Sequence, residues 1–131
     1  LKIKQDAGAD RAITQYFFNI DSYYHYCEAC QKAGVTLPIV PGIMPITQFD
    51  NLQRFSARCE AEIPRWLAKQ MAHYVDDVAS QQSLGLDVVS HLCEQLLALE
   101  VGELHFYTLK RSKAVTAILD RLGLKVAASS L

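Results

Sequence analysis

The chain has 131 residues, 13 Lys+Arg against 14 Asp+Glu, and a formal net charge of -1. That balance excludes a strongly basic nucleic-acid surface and a polybasic membrane anchor. A composition that is 50% hydrophobic and 21% charged excludes a disordered tail. No apolar run approaches the roughly 18 residues of a membrane span, and no secretory pattern follows Leu1-Lys2-Ile3-Lys4-Gln5, so the expectation is a globular cytoplasmic protein.

In chain order, Leu1 to Ala9 reads as the tail of a helix, with Gly8 where a terminating glycine stands. Arg11 to Phe18 is rich in β-branched and aromatic residues and reads as a strand. Asn19 to Ser22 supply turn and cap chemistry. Ile20, Tyr23, Tyr24, Cys27, Cys30 and Ala33 then recur at helical spacing up to Gly34. Ile39 to Met44 is a second strand, made short or irregular by Pro38, Pro41 and Pro45. Thr47 and Asp50 resemble a capping box opening a helix striped by Phe49, Leu52, Phe55 and Cys59. Pro64 suits the first turn of a helix from Ile63 to about Val78. Leu84 to Leu99 is a long apolar helix ended by Gly102. Leu104 to Leu109 is a third strand, and Lys113 to Leu122 a last helix closed by Gly123. The tail Lys125 to Leu131 has little to bury.

Three strand–helix alternations predict a parallel sheet with helices outside it, joined by right-handed crossovers. The strands carry large apolar residues at both alternating phases, so neither face is suited to water. By this reading the chain is a piece of a larger α/β fold, or it associates.

Cysteine usage points away from disulfides, because the aliphatic content builds a core without them. Cys27-Glu28-Ala29-Cys30 matches C-x-x-C, but it lies inside a predicted helix and lacks the second pair a zinc site needs. The four thiols are expected to be free and buried or half-buried, and His25 to be a partly exposed helix residue. Glu28, Glu60, Glu62 and Glu94 read as solvated helix faces. No phosphate loop, metalloprotease, serine-hydrolase or calcium-loop motif is present.

Gln15 lies among Ile13 and Phe17 on one strand face, where an unpaired amide is costly. It is either a satisfied core amide or a ligand contact near the strand's C-terminal end, where barrel enzymes place their sites. His105 and Tyr107 share a face of the third strand, followed by Thr108, Lys110 and Arg111. Phe55, one helical turn beyond Asn51, reads from position alone as ordinary core.

The stretch Asp6-Ala7-Gly8-Ala9-Asp10-Arg11-Ala12-Ile13-Thr14-Gln15-Tyr16-Phe17-Phe18 resembles a signature of the methylenetetrahydrofolate reductases. So do Pro41-Gly42-Ile43-Met44-Pro45-Ile46, Ile63-Pro64-Arg65-Trp66 and His105-Phe106-Tyr107-Thr108-Leu109, in that order and at spacings that fit the bacterial enzymes. The resemblance implies an α/β fold that is part of a (β/α)8 TIM barrel: the end of the fifth helix, then strands six to eight with their helices. The N-terminal half of the barrel would be missing from residues 1–131. The implied reaction is reduction of 5,10-methylenetetrahydrofolate to 5-methyltetrahydrofolate, with NADH or NADPH as hydride donor and FAD as carrier.

The resemblance also implies roles for individual residues. Gln15 matches the glutamine that contacts the folate pterin and the nicotinamide donor, and so is implied in both substrate and cofactor binding. Phe55 matches the phenylalanine that packs on the folate aminobenzoate or the nicotinamide. Arg111 matches the arginine near the folate glutamate carboxylate, and Lys4 a lysine beside the FAD phosphates, next to Ile3 where the family has arginine. Asn51 stands where the family usually has glutamine, as a folate contact, and Tyr107 faces the site region. The family's catalytic glutamate belongs to strands not present here, so no residue of this chain is assigned as general acid. The isolated chain is therefore expected to lack reductase activity and to bind FAD weakly or not at all. The alternative expectation is a non-catalytic assembly unit that pairs its bare sheet face with a second copy, and a further one is activity restored by an N-terminal half supplied in trans.

Overall fold

The structure, a computed structural model, describes Gly8, residues 10–107 and residues 113–123. The helix tail expected before Gly8, the end of the third strand from Thr108 onward with Lys110 and Arg111, and the C-terminal tail lie outside the described residues, as does Lys4. Gly8 itself has a φ of 100°.

The described elements are β1 (Ala12–Ile13), α1 (Ile20–Lys32), β2 (Ile39–Val40), β3 (Gly42–Ile43), α2 (Phe49–Cys59), α3 (Arg65–Met71), a 3-10 turn (Ala72–Tyr74), α4 (Val78–Ala98), β4 (His105–Phe106) and α5 (Lys113–Leu122). β1 pairs with β2 in parallel, Ala12 opposite Ile39 and Ile13 opposite Val40. β3 pairs with β4 in parallel, Gly42 opposite His105 and Ile43 opposite Phe106. β2 and β3 are consecutive pieces of one extended segment separated by Pro41, so that segment lies between β1 and β4. The mixed α/β class and the parallel pairing match the sequence reading.

The strands are shorter than predicted. The first reduces to two ladder residues, although the backbone continues to pair at Thr14, whose N–H donates to Val40 O at 3.0 Å. The second is broken at Pro41, which has no N–H to give.

Helices cover one sheet face. Ile43 is fully buried, and it joins Tyr16, Phe18, Ile46, Leu52, Leu67, Met71, Val89, Leu92, Cys93, Leu96 and Ile118 in a single core. α4 supplies the centre of that core through Val89, Leu92, Cys93 and Leu96, spaced at three and four residues. The opposite sheet phase is uneven: Ile13 and Gln15 are exposed, His105 and Tyr107 half-buried, Val40 and Gly42 covered.

Four local expectations are corrected. The helix expected from Ile63 to Val78 is α3 plus a 3-10 turn, and it ends before Val75. α4 begins six residues earlier than predicted because Asp77 caps it, its Oδ1 accepting from Ser80 N at 3.0 Å and its Oδ2 from Ser80 Oγ at 2.7 Å. Thr47 does not cap α2; Gln48 is the N-cap residue and makes no side-chain cap bond. The amide at that helix start is taken instead by Gln81 Oε1, which accepts from Phe49 N at 2.9 Å. Finally, α4 is closed by Glu100, a non-glycine residue at φ 62°, and not by Gly102.

Gln81 is 6% exposed, and its Nε2 donates to Tyr74 O at 2.7 Å and Val75 O at 3.3 Å. One buried amide thus joins the end of the 3-10 turn, the start of α2 and the body of α4. Gln81→Leu keeps the volume but leaves the buried Phe49 N–H without its acceptor and removes a donor from the Val75 and Tyr74 carbonyls, the latter keeping Asp77 N at 3.0 Å. It is expected to lower unfolding stability by about 2–3 kcal/mol, read from urea midpoints.

Gly85 is where α4 meets the chain after β3: a Cβ there would lie 2.8 Å from both Ile46 Cβ and the Ile46 carbonyl oxygen. Alanine gains about 1 kcal/mol in helix propensity, but the clash is with backbone, and overpacking costs about 1–3 kcal/mol. Gly85→Ala is therefore expected to lower the thermal midpoint, whereas Ser83→Ala, two residues away on the exposed side, raises it or leaves it unchanged.

Candidate functional site

The candidate site lies at the C-terminal ends of the parallel strands, where chain directions and the α2 helix converge on Tyr16. Tyr16 is 3% exposed, and its hydroxyl shares a 2.6 Å hydrogen bond with the buried Ser56 Oγ on α2. Its ring stacks on Phe55 at 6.1 Å between centroids and 25° between planes. It also meets Phe18 and Tyr107 edge-on, each at 6.0 Å. Tyr107 in turn meets the His105 ring at 5.0 Å. These contacts make a continuous aromatic array from β4 to α2.

Phe55 is 43% exposed, which corrects the positional reading of ordinary core. One side of its ring is covered by Tyr16. Helical spacing could not distinguish these cases, because Phe55 follows Leu52 by three residues and falls beside the buried stripe.

Gln15 is exposed, so it is not a core amide. Its Oε1 accepts from Tyr16 N at 3.0 Å. That bond fixes the amide's orientation, and among the described residues Nε2 has no hydrogen-bond partner. Gln15 also lines a cleft of about 280 Å3 with Phe17, Asn19, Ser22, Tyr26 and Glu62. Asn19 is the N-cap residue of α1 but makes no cap bond; its Oδ1 accepts from Trp66 Nε1 at 2.6 Å and ties that cleft's wall to α3.

Asn51 is exposed one turn before Phe55, with Nδ2 donating to Gln48 Oε1 at 3.0 Å and Oδ1 accepting from Arg54 Nη2. Of the predicted site residues, the fold brings Gln15, Phe55 and Tyr107 together around Tyr16 and places Asn51 on the adjoining helix turn. Lys4 and Arg111 lie outside the described residues. Sequence reasoning missed Tyr16 and Ser56 as the organising pair; the available signal was a serine immediately after Phe55 in an otherwise apolar stripe.

The cysteines are free. Cys27 is half-buried, Cys30 and Cys93 are buried, and Cys59 is exposed, against the expectation that all would be covered. Burial raises the Cys27 thiol, and it pushes Cys93 up to about 12. Both shifts run opposite to the lowered value a reactive thiol needs. His25 is exposed beside Glu28 Oε2 at 4.0 Å, and Glu28, Glu60, Glu62 and Glu94 are all on the surface. Among the described residues, no group of three His, Cys, Asp or Glu side chains is placed to hold a metal ion, and no helix is long and apolar enough to cross a membrane.

A model of the methylenetetrahydrofolate reductase family matches residues 1–123. The chain belongs to the methylenetetrahydrofolate reductase family. It is 39% identical over 124 residues to the 5,10-methylenetetrahydrofolate reductase of Buchnera aphidicola subsp. Schizaphis graminum, covering 95% of this chain and 42% of that protein. It is 36% identical over 125 residues to the Escherichia coli reductase of the same name, with the same coverage. Methylenetetrahydrofolate reductase 1 of Schizosaccharomyces pombe is 36% identical over 124 residues, covering 95% of this chain and 21% of that protein. The chain thus spans about two fifths of the length of the bacterial reductases it matches. Among solved structures, an uncharacterized protein from Clostridium thermocellum that binds two copies of 5-methyl-5,6,7,8-tetrahydrofolic acid superposes with a TM-score of 0.61. The two share 18% identity over 91% of this chain and 44% of that one, a likeness of fold.

Burial raises the pKa of Tyr16 and Tyr107, and the Cys59 thiolate nearby opposes a second negative charge at each. For Tyr16 the hydrogen bond from Ser56 partly offsets this. Because the folded values lie above the unfolded value of about 10, the native chain of this reductase-family protein holds these protons where the unfolded chain has lost them. The stability they supply is complete below about pH 10 and falls as pH rises through the folded values. Tyr16→Phe is expected to flatten the fall in urea midpoint above about pH 10, relative to the native chain.

Proposed function

We propose that residues 1–131 are the C-terminal portion of a methylenetetrahydrofolate reductase (β/α)8 barrel, supplying its last three βα units and one wall of the folate site. A full barrel takes about 250 residues, which agrees with a chain spanning two fifths of its bacterial relatives. The observation that carries this reading is an exposed Gln15 amide oriented by Tyr16 N, with the half-exposed ring of Phe55 stacked on the Tyr16 ring, at the C-terminal ends of parallel strands.

The arrangement fits a flat heteroaromatic ligand. Gln15 Nε2 donates to a polar ring edge, while Phe55, backed by Tyr16, offers an apolar face to the folate aminobenzoate or to a nicotinamide. Asn51 contacts folate by exchanging its bond to Gln48 for one to the ligand. Arg111, outside the described residues, is the candidate cation for the folate glutamate carboxylate. For FAD, the fit on the described residues rests on Gln15, with Lys4 the candidate phosphate contact. FAD, when bound in the intact enzyme, supplies the hydride relay from NADH or NADPH to 5,10-methylenetetrahydrofolate. This chain's own residues bind and orient, and none of them is assigned as the general acid.

A second reading, self-association through the open sheet phase, draws on Ile13, 38% exposed beside Gln15. Light scattering separates the two, since a monomer at high concentration removes the second.

Titration of 5-methyltetrahydrofolate into the isotope-labelled chain tests the first reading. Saturable shifts at Gln15 and Phe55 are expected, with Gln15→Ala weakening binding about tenfold. No saturable shift in the native chain would overturn it. The same preparation is expected to show no stoichiometric flavin spectrum and no NADH oxidation.

A further inference from the structure

The ladder between β1 and the middle strand departs from regularity at one rung. Ala12 N donates to Pro38 O and Thr14 N to Val40 O, both at 3.0 Å. In a regular parallel ladder the next bond runs from Gly42 N to Thr14 O. Here Gly42 N donates to the Thr14 side-chain hydroxyl at 3.0 Å, and the Thr14 carbonyl accepts from Tyr107 Oη at 2.6 Å.

To reach that carbonyl, the Tyr107 ring crosses the middle strand over Gly42. A Cβ at Gly42 would lie 2.4 Å from Tyr107 Cε2 and 2.4 Å from Thr14 O, so only glycine leaves the passage open. The tyrosine is anchored on its own strand by Tyr107 N donating to Ile43 O at 2.8 Å. Two hydroxyls and a glycine are therefore used to satisfy two backbone groups that could satisfy each other. The detour also sets the plane of the peptide carrying the Thr14 carbonyl, and that peptide leads directly into Gln15.

We propose that Tyr107 is a positioning residue for the folate site, acting through the Thr14–Gln15 peptide and not by direct contact with the ligand. Its hydroxyl holds the Thr14 carbonyl out of the ladder, and the Gln15 Oε1 to Tyr16 N bond completes the orientation of the amide. This rests on the reading of Gln15 as the folate contact. It moves Tyr107 from the expected role of ligand contact to one exerted across the strand, from a residue 93 positions away in the chain.

Tyr107→Phe keeps the ring and its edge contact with Tyr16 while removing the donor. Amide spectra of the full chain, without ligand, are the first readout. The Gly42 and Gln15 backbone signals and the Gln15 side-chain NH2 pair are expected to move together as Gly42 N–H returns to the Thr14 carbonyl. Thr14→Val, which removes the competing acceptor, is expected to shift the same signals in the same direction, and it serves if the tyrosine variant does not fold. Unchanged Gln15 side-chain signals in a folded variant overturn the proposal. The second readout is 5-methyltetrahydrofolate affinity. Tyr107→Phe is expected to weaken it about tenfold, Gln15→Ala similarly, and the pair no more than the stronger single change, as for two residues acting in series. Additive losses would mean that Tyr107 touches the ligand itself and would overturn the proposal. Absence of saturable binding in the native chain would defeat the folate reading alone, since the ligand-free spectra still decide whether Tyr107 sets Gln15.

Discussion

A strand in the middle of a parallel sheet must satisfy hydrogen bonds on both edges, and here that strand contains a proline. N–H and C=O of one residue point to the same edge, so the missing Pro41 donor faces β4 and leaves the pairing with β1 intact. Pro41 still accepts, from His105 N at 3.0 Å. The result is two short pairings separated by one residue along a single extended segment. The register of the aromatic residues follows from that arrangement, because His105 opposite Gly42 puts Tyr107 within reach of Thr14.

The site is built outward from this sheet by buried polar contacts that each join distant segments. The Tyr16 hydroxyl and Ser56 link the end of β1 to α2. The Tyr23 hydroxyl, donating to Ile39 O at 2.6 Å, links α1 to the start of β2. Gln81 holds α2, the 3-10 turn and α4 in one relation. Each satisfies groups whose burial without a partner would cost more than the bond itself contributes. Helices fixed in this way present Phe55 half-exposed on a rigid support, and a flat ligand face has value only if its ring does not turn away.

Much of the fold was legible in periodicity. α1, α2 and α5 fall where the apolar spacing places them, and Gly34 and Gly123 take positive φ of 83° and 71° at two of their ends. The middle strand's irregularity was legible in Pro41. Helix ends were less so. Glu60 and Glu100 occupy left-handed conformations at φ 56° and 62°, which no composition rule anticipates, because tertiary packing outweighs the modest local strain. Thr47 and Asp50 had the right spacing for a capping box, yet a glutamine 32 residues away took the amide. A local pattern states which groups could pair and is silent about a competitor that arrives with another helix.

The sequence alone determined the alternation of strand and helix and the family resemblance carried by its four ordered blocks, and through that resemblance the candidacy of Gln15 and Phe55, because residue type and order are properties of the chain itself. Only the tertiary structure decided that Gln15 is exposed and oriented, that Phe55 stands half outside the core against Tyr16, and that Tyr107 spends its hydroxyl on the Thr14 carbonyl. The Gln15 bond is between neighbours, but the Phe55 stack joins residues 39 positions apart and the Tyr107 bond residues 93 apart. A hydrogen bond or ring contact over such separations exists only once the strands have aligned, and no local pattern encodes which of several polar partners will then be nearest.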